Sequence, residues 1–236
     1  MILIAVSTCR KMEYGDKANG THVDGENPRL EAVRSTWMQD SAADVVSRLF
    51  FGDELGVPDD YEHMPAKTKG ICKWALQHGF EALLKCDDDT FADVVEAKAE
   101  WDLRLKDKEW AFDYGGRKQC RICCGAAYWL SAKAMQVVAD AEVAENEWAE
   151  DRWVGSLMQR PDIKAVNLPG HYRGSRKGFV YGHTVPTGDQ SMFFPDGFDP
   201  ALVPPKFTSL NALEPGEMSH LYDWRKHVGV DEAVGA

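Results

Sequence analysis

Three consecutive carboxylates, Asp87-Asp88-Asp89, are the sharpest chemical feature of the sequence. Adjacent acids repel one another, and at the end of an apolar run they cost stability unless a cation or hydrogen bonds offset the charge. Carboxylate oxygens are hard ligands suited to Mg²⁺ or Mn²⁺, ions that take one or two of them and fill the remaining positions with substrate phosphates and water. An acidic turn capping the next helix calls for the same residue type. The run Phe80-Glu81-Ala82-Leu83-Leu84-Lys85 just before the triplet favours the metal–diphosphate reading. Two further segments carry charge that chemistry can use. Arg29 and Arg34 lie five apart before Trp37, and Glu150-Asp151 precedes Arg152-Trp153-Val154-Gly155. Taken alone, the first is a solvated helix face and the second an acidic helix start.

The elements that must position these groups follow from periodicity. Residues 2–6 form a short apolar run that reads as a buried strand. A polar stretch with Gly15, Gly20 and Gly25 reads as a loop. Asn27-Pro28 reads as an N-cap followed by proline in the first helical turn, with a helix continuing over 29–38. A second strand covers 44–51, ended by Gly52. A helix is expected over 59–77, where Tyr61, Met64, Ile71, Trp74 and Ala75 make an apolar stripe. A third strand over 81–86 runs directly into the three aspartates. Alternating strands and helices specify a parallel sheet covered by helices, whose ligands bind beyond the carboxyl ends of the strands. Arg10, Asp53 and Asp87 all fall at such ends, and Arg34 would sit beside the first strand, within reach of a phosphate or base. Further on, a helix is expected over 91–105, strands over 110–114 and 126–130, and helices over 131–144 and 150–159. The chain after Leu168 is rich in Gly, Pro and aromatics and reads as a loop-rich acceptor surface. Of the aromatics Trp110, Tyr114, Tyr128, Trp129 and Trp153, core packing is the default role, with sugar stacking as the alternative.

Composition bounds the function. The chain has 236 residues, 44% apolar and 28% charged, the balance of a globular protein with a sizeable core. Its net charge is −11, from 38 acidic and 27 basic residues, which disfavours nucleic acid as a partner. The opening apolar run is too short to span a bilayer or act as a signal segment, so, with Met1 as the native start, a cytoplasmic protein is expected. Six scattered cysteines do not read as a disulfide framework. The cluster Cys120, Cys123 and Cys124 lacks a second ligand pair at zinc-site spacing and reads as reduced structural thiols.

Taken together, the segments resemble the β-1,3-glycosyltransferases of the galactosyltransferase and fringe group. The matches, in the family's order, are Arg29, Arg34 and Trp37; Phe51-Gly52-Asp53-Glu54; Lys67-Thr68 and Trp74; Lys85 to Phe91; Cys124-Gly125 through Tyr128 to Ser131; and Glu150 to Gly155. Pro215-Gly216-Glu217-Met218 is a fainter echo of a late family segment. The resemblance implies an α/β GT-A fold, Rossmann-like, with a mostly parallel central sheet flanked by helices. It is expected as a single domain, with residues 1–90 as the nucleotide-sugar half and 91–236 as the acceptor half. It also implies an inverting transferase with a UDP-sugar donor, a hydroxyl acceptor and Mn²⁺ or Mg²⁺ as cofactor. Asp87 and Asp89 then match the metal positions, with Asp87 also facing the ribose. Arg34, Asp53, Lys67 and Asp88 join the donor contacts, and Asp151 matches the general base. The family's late His ligand falls at Asn211, and His183, in a glycine-containing loop, is the candidate substitute. Two rival readings remain. One is a phage-type enzyme that glycosylates modified DNA bases, using the basic stretch His171 to Lys177. The other is a sugar-nucleotide-binding module without activity.

Overall fold

The structure is a computed structural model that describes residues 1–14, 23–106, 110–113, 127–145, 147, 149–166, 171–176, 191–194, 209–211, 213 and 215–234. Its centre is a four-stranded sheet in the order β4-β1-β5-β8, built from β1 (Ile2–Ser7), β4 (Val45–Phe50), β5 (Ala82–Asp87) and β8 (Ala127–Ser131). β1 runs parallel to both β4 and β5, and β8 closes the edge antiparallel to β5. The mostly parallel sheet flanked by helices expected from the sequence is therefore present.

Strand periodicity explains the two faces. Ile2, Ile4 and Val6 of β1 point to one side with Ala82, Leu84 and Cys86 of β5, while Leu3, Ala5 and Leu83 point to the other. Both sides are covered, which is why β1 reads as an unbroken apolar run. On the first side lie α1 (Pro28–Ser35), α3 (Val94–Glu100) and α6 (Pro215–Val234), contributing Val33, Ala97, Met218 and Leu221. On the second lie α2 (Met64–Gln77), α4 (Ala132–Asp140) and α5 (Glu150–Leu157), contributing Ile71, Met135 and Val154. A second sheet, β11-β10-β12-β6, joins β6 (Phe91–Ala92) to β10 (His171–Arg176), β11 (Ser191–Phe194) and β12 (Ser209–Asn211).

Several boundaries differ from the sequence reading. α2 begins at Met64 rather than at 59, because Asp59 and Asp60 are engaged in local contacts. The Asp59 carboxylate accepts from the backbone N–H of Arg10 and of Gly52, at 2.8 and 2.7 Å, and holds an entry turn instead of a helix. Tyr61, assigned to the buried stripe, is consequently 71% exposed. The helix expected from 91 starts after β6, with Asp93 as N-cap accepting from the Glu96 N–H at 2.9 Å. Part of the expected loop 7–26 is a hairpin of β2 (Lys11–Tyr14) and β3 (Val23–Glu26). The described residues after Leu168, a region read as loop, include three strands and a long helix. The Pro215 echo marks the start of that helix, and Met218 is buried in the core. No helix among the described residues is long and apolar enough to cross a membrane.

Trp37 ties the helix layer to the acidic turn. Its ring is fully buried and its Nε1–H donates to the Thr90 carbonyl at 3.0 Å. Trp37→Phe keeps an aromatic ring but deletes the donor. It should lower stability by about 1–3 kcal/mol, the range for a buried polar group losing its partner. Urea denaturation measures this, and an unchanged midpoint would show that the bond contributes nothing.

Candidate active site

The three aspartates sit where β5 ends, in a turn closed by the Thr90 N–H donating to the Asp87 carbonyl at 3.2 Å. Their side chains diverge, and each meets a different environment. Asp88 turns toward α1. Its Oδ2 accepts from Thr8 Oγ1 at 2.6 Å and from Asn27 Nδ2 at 2.7 Å, and its Oδ1 from Arg29 Nη1 at 3.3 Å. Asn27 also caps α1 through its other amide atom, accepting from the Arg29 N–H at 3.0 Å. The donor contact expected of Asp88 thus gives way to an internal role, since both its oxygens are engaged and its side chain is only 12% exposed.

Asp87 faces the opposite way. Its Oδ1 accepts from Lys85 Nζ at 2.5 Å, and Lys85 is completely buried. Burial pushes the Asp87 carboxyl up to about 7 against the pull of Lys85, and the charges of Asp89 and Glu150 add to the rise. Asp89 is raised as well, first by burial and then by Asp88, with Arg29 opposing. Its Oδ1 is buried with no hydrogen-bond partner among the described residues. A buried, unpaired carboxylate oxygen is costly, and a hard cation is the partner its chemistry suits. No group of three His, Cys, Asp or Glu among the described residues is gathered tightly enough to hold an ion alone. The set fits a cation held by one or two carboxylates and completed by a phosphate-bearing ligand and water.

Asp151 lies in the first turn of α5, next to the buried Glu150 that begins it. Partial burial raises its carboxyl, with Glu150 adding to the rise and the Arg152 N–H and Lys85 opposing. Glu150 itself faces inward and accepts from Thr68 Oγ1, Tyr128 OH and Lys85 Nζ. Both of its oxygens are thus engaged within the protein. Tyr61 stands at the mouth of this cluster. Partial burial raises its phenol, followed by the charge of Asp87, while Lys85 opposes.

The remaining expected residues lie apart or serve the scaffold. Arg34 is exposed on the last turn of α1, and Arg29, one turn and a half earlier, is the arginine that reaches the acidic turn. Asp53 is exposed beyond β4 and pairs with Arg10, at 3.2 Å from Nε. Lys67 is fully buried, and its ammonium donates to the Thr8 carbonyl at 3.0 Å and Cys9 Sγ at 2.9 Å while pairing with Asp59 at 3.1 Å. It therefore bolts α2 to the end of β1 in place of the expected donor contact. His183, Tyr114, Cys120, Cys123 and Cys124 lie outside the described residues. Asn211 ends β12, two residues before Leu213, whose N–H donates to the Asp89 carbonyl at 3.0 Å. The late segment of the chain thus passes directly beside the acidic turn. Tyr128, Trp129 and Trp153 are core residues, with Trp129 Nε1 donating to Glu100 at 2.9 Å. Lys85, Thr68 and Arg29 stand in the sequence motifs but carried no signal of their roles; an isolated lysine in a buried strand was the one available clue.

No protein-family model and no curated protein matches the sequence. Among solved structures, HddC from Yersinia pseudotuberculosis complexed with GMP-PN is 10% identical over 94% of this chain and 99% of its own, with a TM-score of 0.40. A cytidylyltransferase from Leptospira borgpetersenii is 11% identical over 71% of this chain and 75% of its own, with a TM-score of 0.37. Mouse xyloside xylosyltransferase 1 is 11% identical over 73% and 86%, also at 0.37. Likenesses this faint carry no argument about chemistry, which must come from the site.

The raised Asp87 carboxyl has a measurable sign. A folded-state value of about 7 against an ordinary 3.8 means that the native protein holds this proton where the unfolded chain has lost it. Its contribution to stability is therefore full below the ordinary value and is lost as pH rises toward 7. Asp87→Asn removes that loss. The Tm difference, variant minus wild type, should grow more positive between about pH 4 and pH 7. A difference that stays flat across this window would contradict the assigned environment.

Proposed function

We propose that the protein is a metal-dependent, inverting glycosyltransferase of the GT-A type, moving a sugar from a UDP-sugar to a hydroxyl acceptor. The observation that carries this reading is the buried oxygen of Asp89, without a partner among the described residues, beside Asp87, with a third raised carboxylate, Asp151, on the same cluster. The position beyond the carboxyl end of β5 is where a mostly parallel sheet offers a nucleotide site. Asp89, with Asp87, would hold Mn²⁺ or Mg²⁺, and Asn211, in the late segment that passes beside the turn, is a candidate to assist. When bound, the cation would neutralise the departing diphosphate. Inversion at the anomeric carbon needs one displacement and one base. Asp151 takes the proton from the acceptor hydroxyl as that oxygen forms its bond to the anomeric carbon. Partial burial raises its basicity toward the working pH, which suits that role. Tyr61, exposed at the mouth, offers a ring face to a sugar.

Isothermal calorimetry should show UDP binding that depends strongly on Mn²⁺, because the diphosphate otherwise meets an acidic turn in which one Asp89 oxygen has no partner among the described residues. Equal UDP affinity with and without the ion would sink the metal assignment. Asp151→Asn should leave that affinity unchanged while lowering sugar turnover on the order of 10²-fold or more. Undiminished turnover would place the base elsewhere.

A further inference from the structure

Glu150 is the first residue of α5 and only 6% exposed, yet it carries a formal charge. Its Oε1 accepts from Thr68 Oγ1 of α2 at 3.0 Å and from the Tyr128 hydroxyl of β8, and its Oε2 faces Lys85 Nζ of β5 at 3.3 Å. All three partners are completely buried. The same Lys85 ammonium donates to Asp87 at 2.5 Å. One buried cation thus bridges the acidic turn and the helix that carries Asp151. α5 has no side-chain cap at Ala149, and these three bonds tie its first residue to α2 and to two strands of the sheet. Burying a lysine–glutamate pair is a poor route to stability, since well-packed apolar residues do as well or better. A positional task accounts for it.

We propose that Thr68, Lys85, Tyr128 and Glu150 form a clamp that sets the distance and orientation of Asp151 relative to Asp87, and so aligns the acceptor's base with the donor's diphosphate. The clamp rests on the transferase reading above. Its members are positioning residues: none is offered as touching substrate. Lys85 fixes the donor side and Tyr128 and Thr68 fix the helix side, so loosening the helix side misplaces the base without disturbing donor binding. A displacement of about an ångström at a reacting group can cost up to 10²-fold in rate.

The test is a double-mutant cycle on the intact protein, read as Mn²⁺-supported hydrolysis of UDP-glucose and UDP-galactose, with water as acceptor. UDP affinity is measured by calorimetry on the same samples. Tyr128→Phe deletes one bond to Glu150 and leaves the ring in place, and Thr68→Val does the same from α2. Each should lower kcat on the order of tenfold while donor KM and UDP affinity stay within about twofold. In an Asp151→Asn background neither should lower kcat further, because the base they position is gone. The second variant keeps the test intact if the first fails to fold. Full additivity with Asp151→Asn, or a parallel loss of UDP affinity, would overturn the clamp while leaving the transferase reading standing. A wild-type protein that hydrolyses neither sugar nucleotide with Mn²⁺ and does not bind UDP would overturn both.

Discussion

Three carboxylates in a row at the end of a buried strand cannot all be ionised and dry, and the architecture around them is a response to that constraint. Asp88 is neutralised from the α1 side, where Arg29, Asn27 and Thr8 converge on it. Asp87 is answered from within the second layer by Lys85. Asp89 receives no partner for one oxygen among the described residues, although Arg29 lies close enough to lower its carboxyl. The scaffold thus compensates two of the three acids and leaves one oxygen of the third without a partner among the described residues, an arrangement that costs stability.

The elements that look like ordinary packing are arranged to hold this turn. Trp37 grips the Thr90 carbonyl from the helix layer, and Leu213 grips the Asp89 carbonyl from the late chain. Lys67 draws the end of β1 against α2, which fixes Thr8 at the distance Asp88 requires. Backbone bonds set the height of the turn, and buried charges set the direction of each side chain. The two hydrophobic layers meet at the sheet on either side of these contacts, so the polar network is embedded in apolar surroundings where each hydrogen bond counts for more.

Much of this was legible in the sequence. The unbroken apolar run of β1 and the alternation of strand and helix gave the sheet, because burial on both faces leaves a strong mark. Asn27-Pro28 announced the start of α1. The triplet of aspartates falls in the turn after β5, where the sequence pattern put it. Individual side-chain directions were not legible. Arg29 and Arg34 look equivalent in the sequence, and only the pitch of α1 decides which one meets Asp88. Asp88 and Asp89 are neighbours in a turn whose geometry engages both oxygens of the first and leaves Oδ1 of the second without a partner among the described residues. Tyr61 fits an apolar stripe by spacing, but the Asp59 turn delays the helix and leaves the ring exposed. Glu150 reads as an acidic helix start, and its three partners come from α2, β5 and β8, separations that no local pattern encodes.

The division of labour between Asp88 and Asp89 is the centre of this account, and one paired measurement addresses it. Asp88→Asn and Asp89→Asn are compared for urea midpoint and for UDP affinity in Mn²⁺, each on the same preparation. Opposite patterns are expected. Asp88→Asn should unfold at lower urea, having lost its charge pairing with Arg29, and should keep UDP affinity within about threefold, since no ligand contact is removed. Asp89→Asn should unfold at higher urea, relieved of a buried uncompensated charge, and should lose most of the Mn²⁺-dependent affinity. If Asp89→Asn is instead destabilised and binds UDP normally, the third carboxylate is part of the scaffold and the proposed site is wrong.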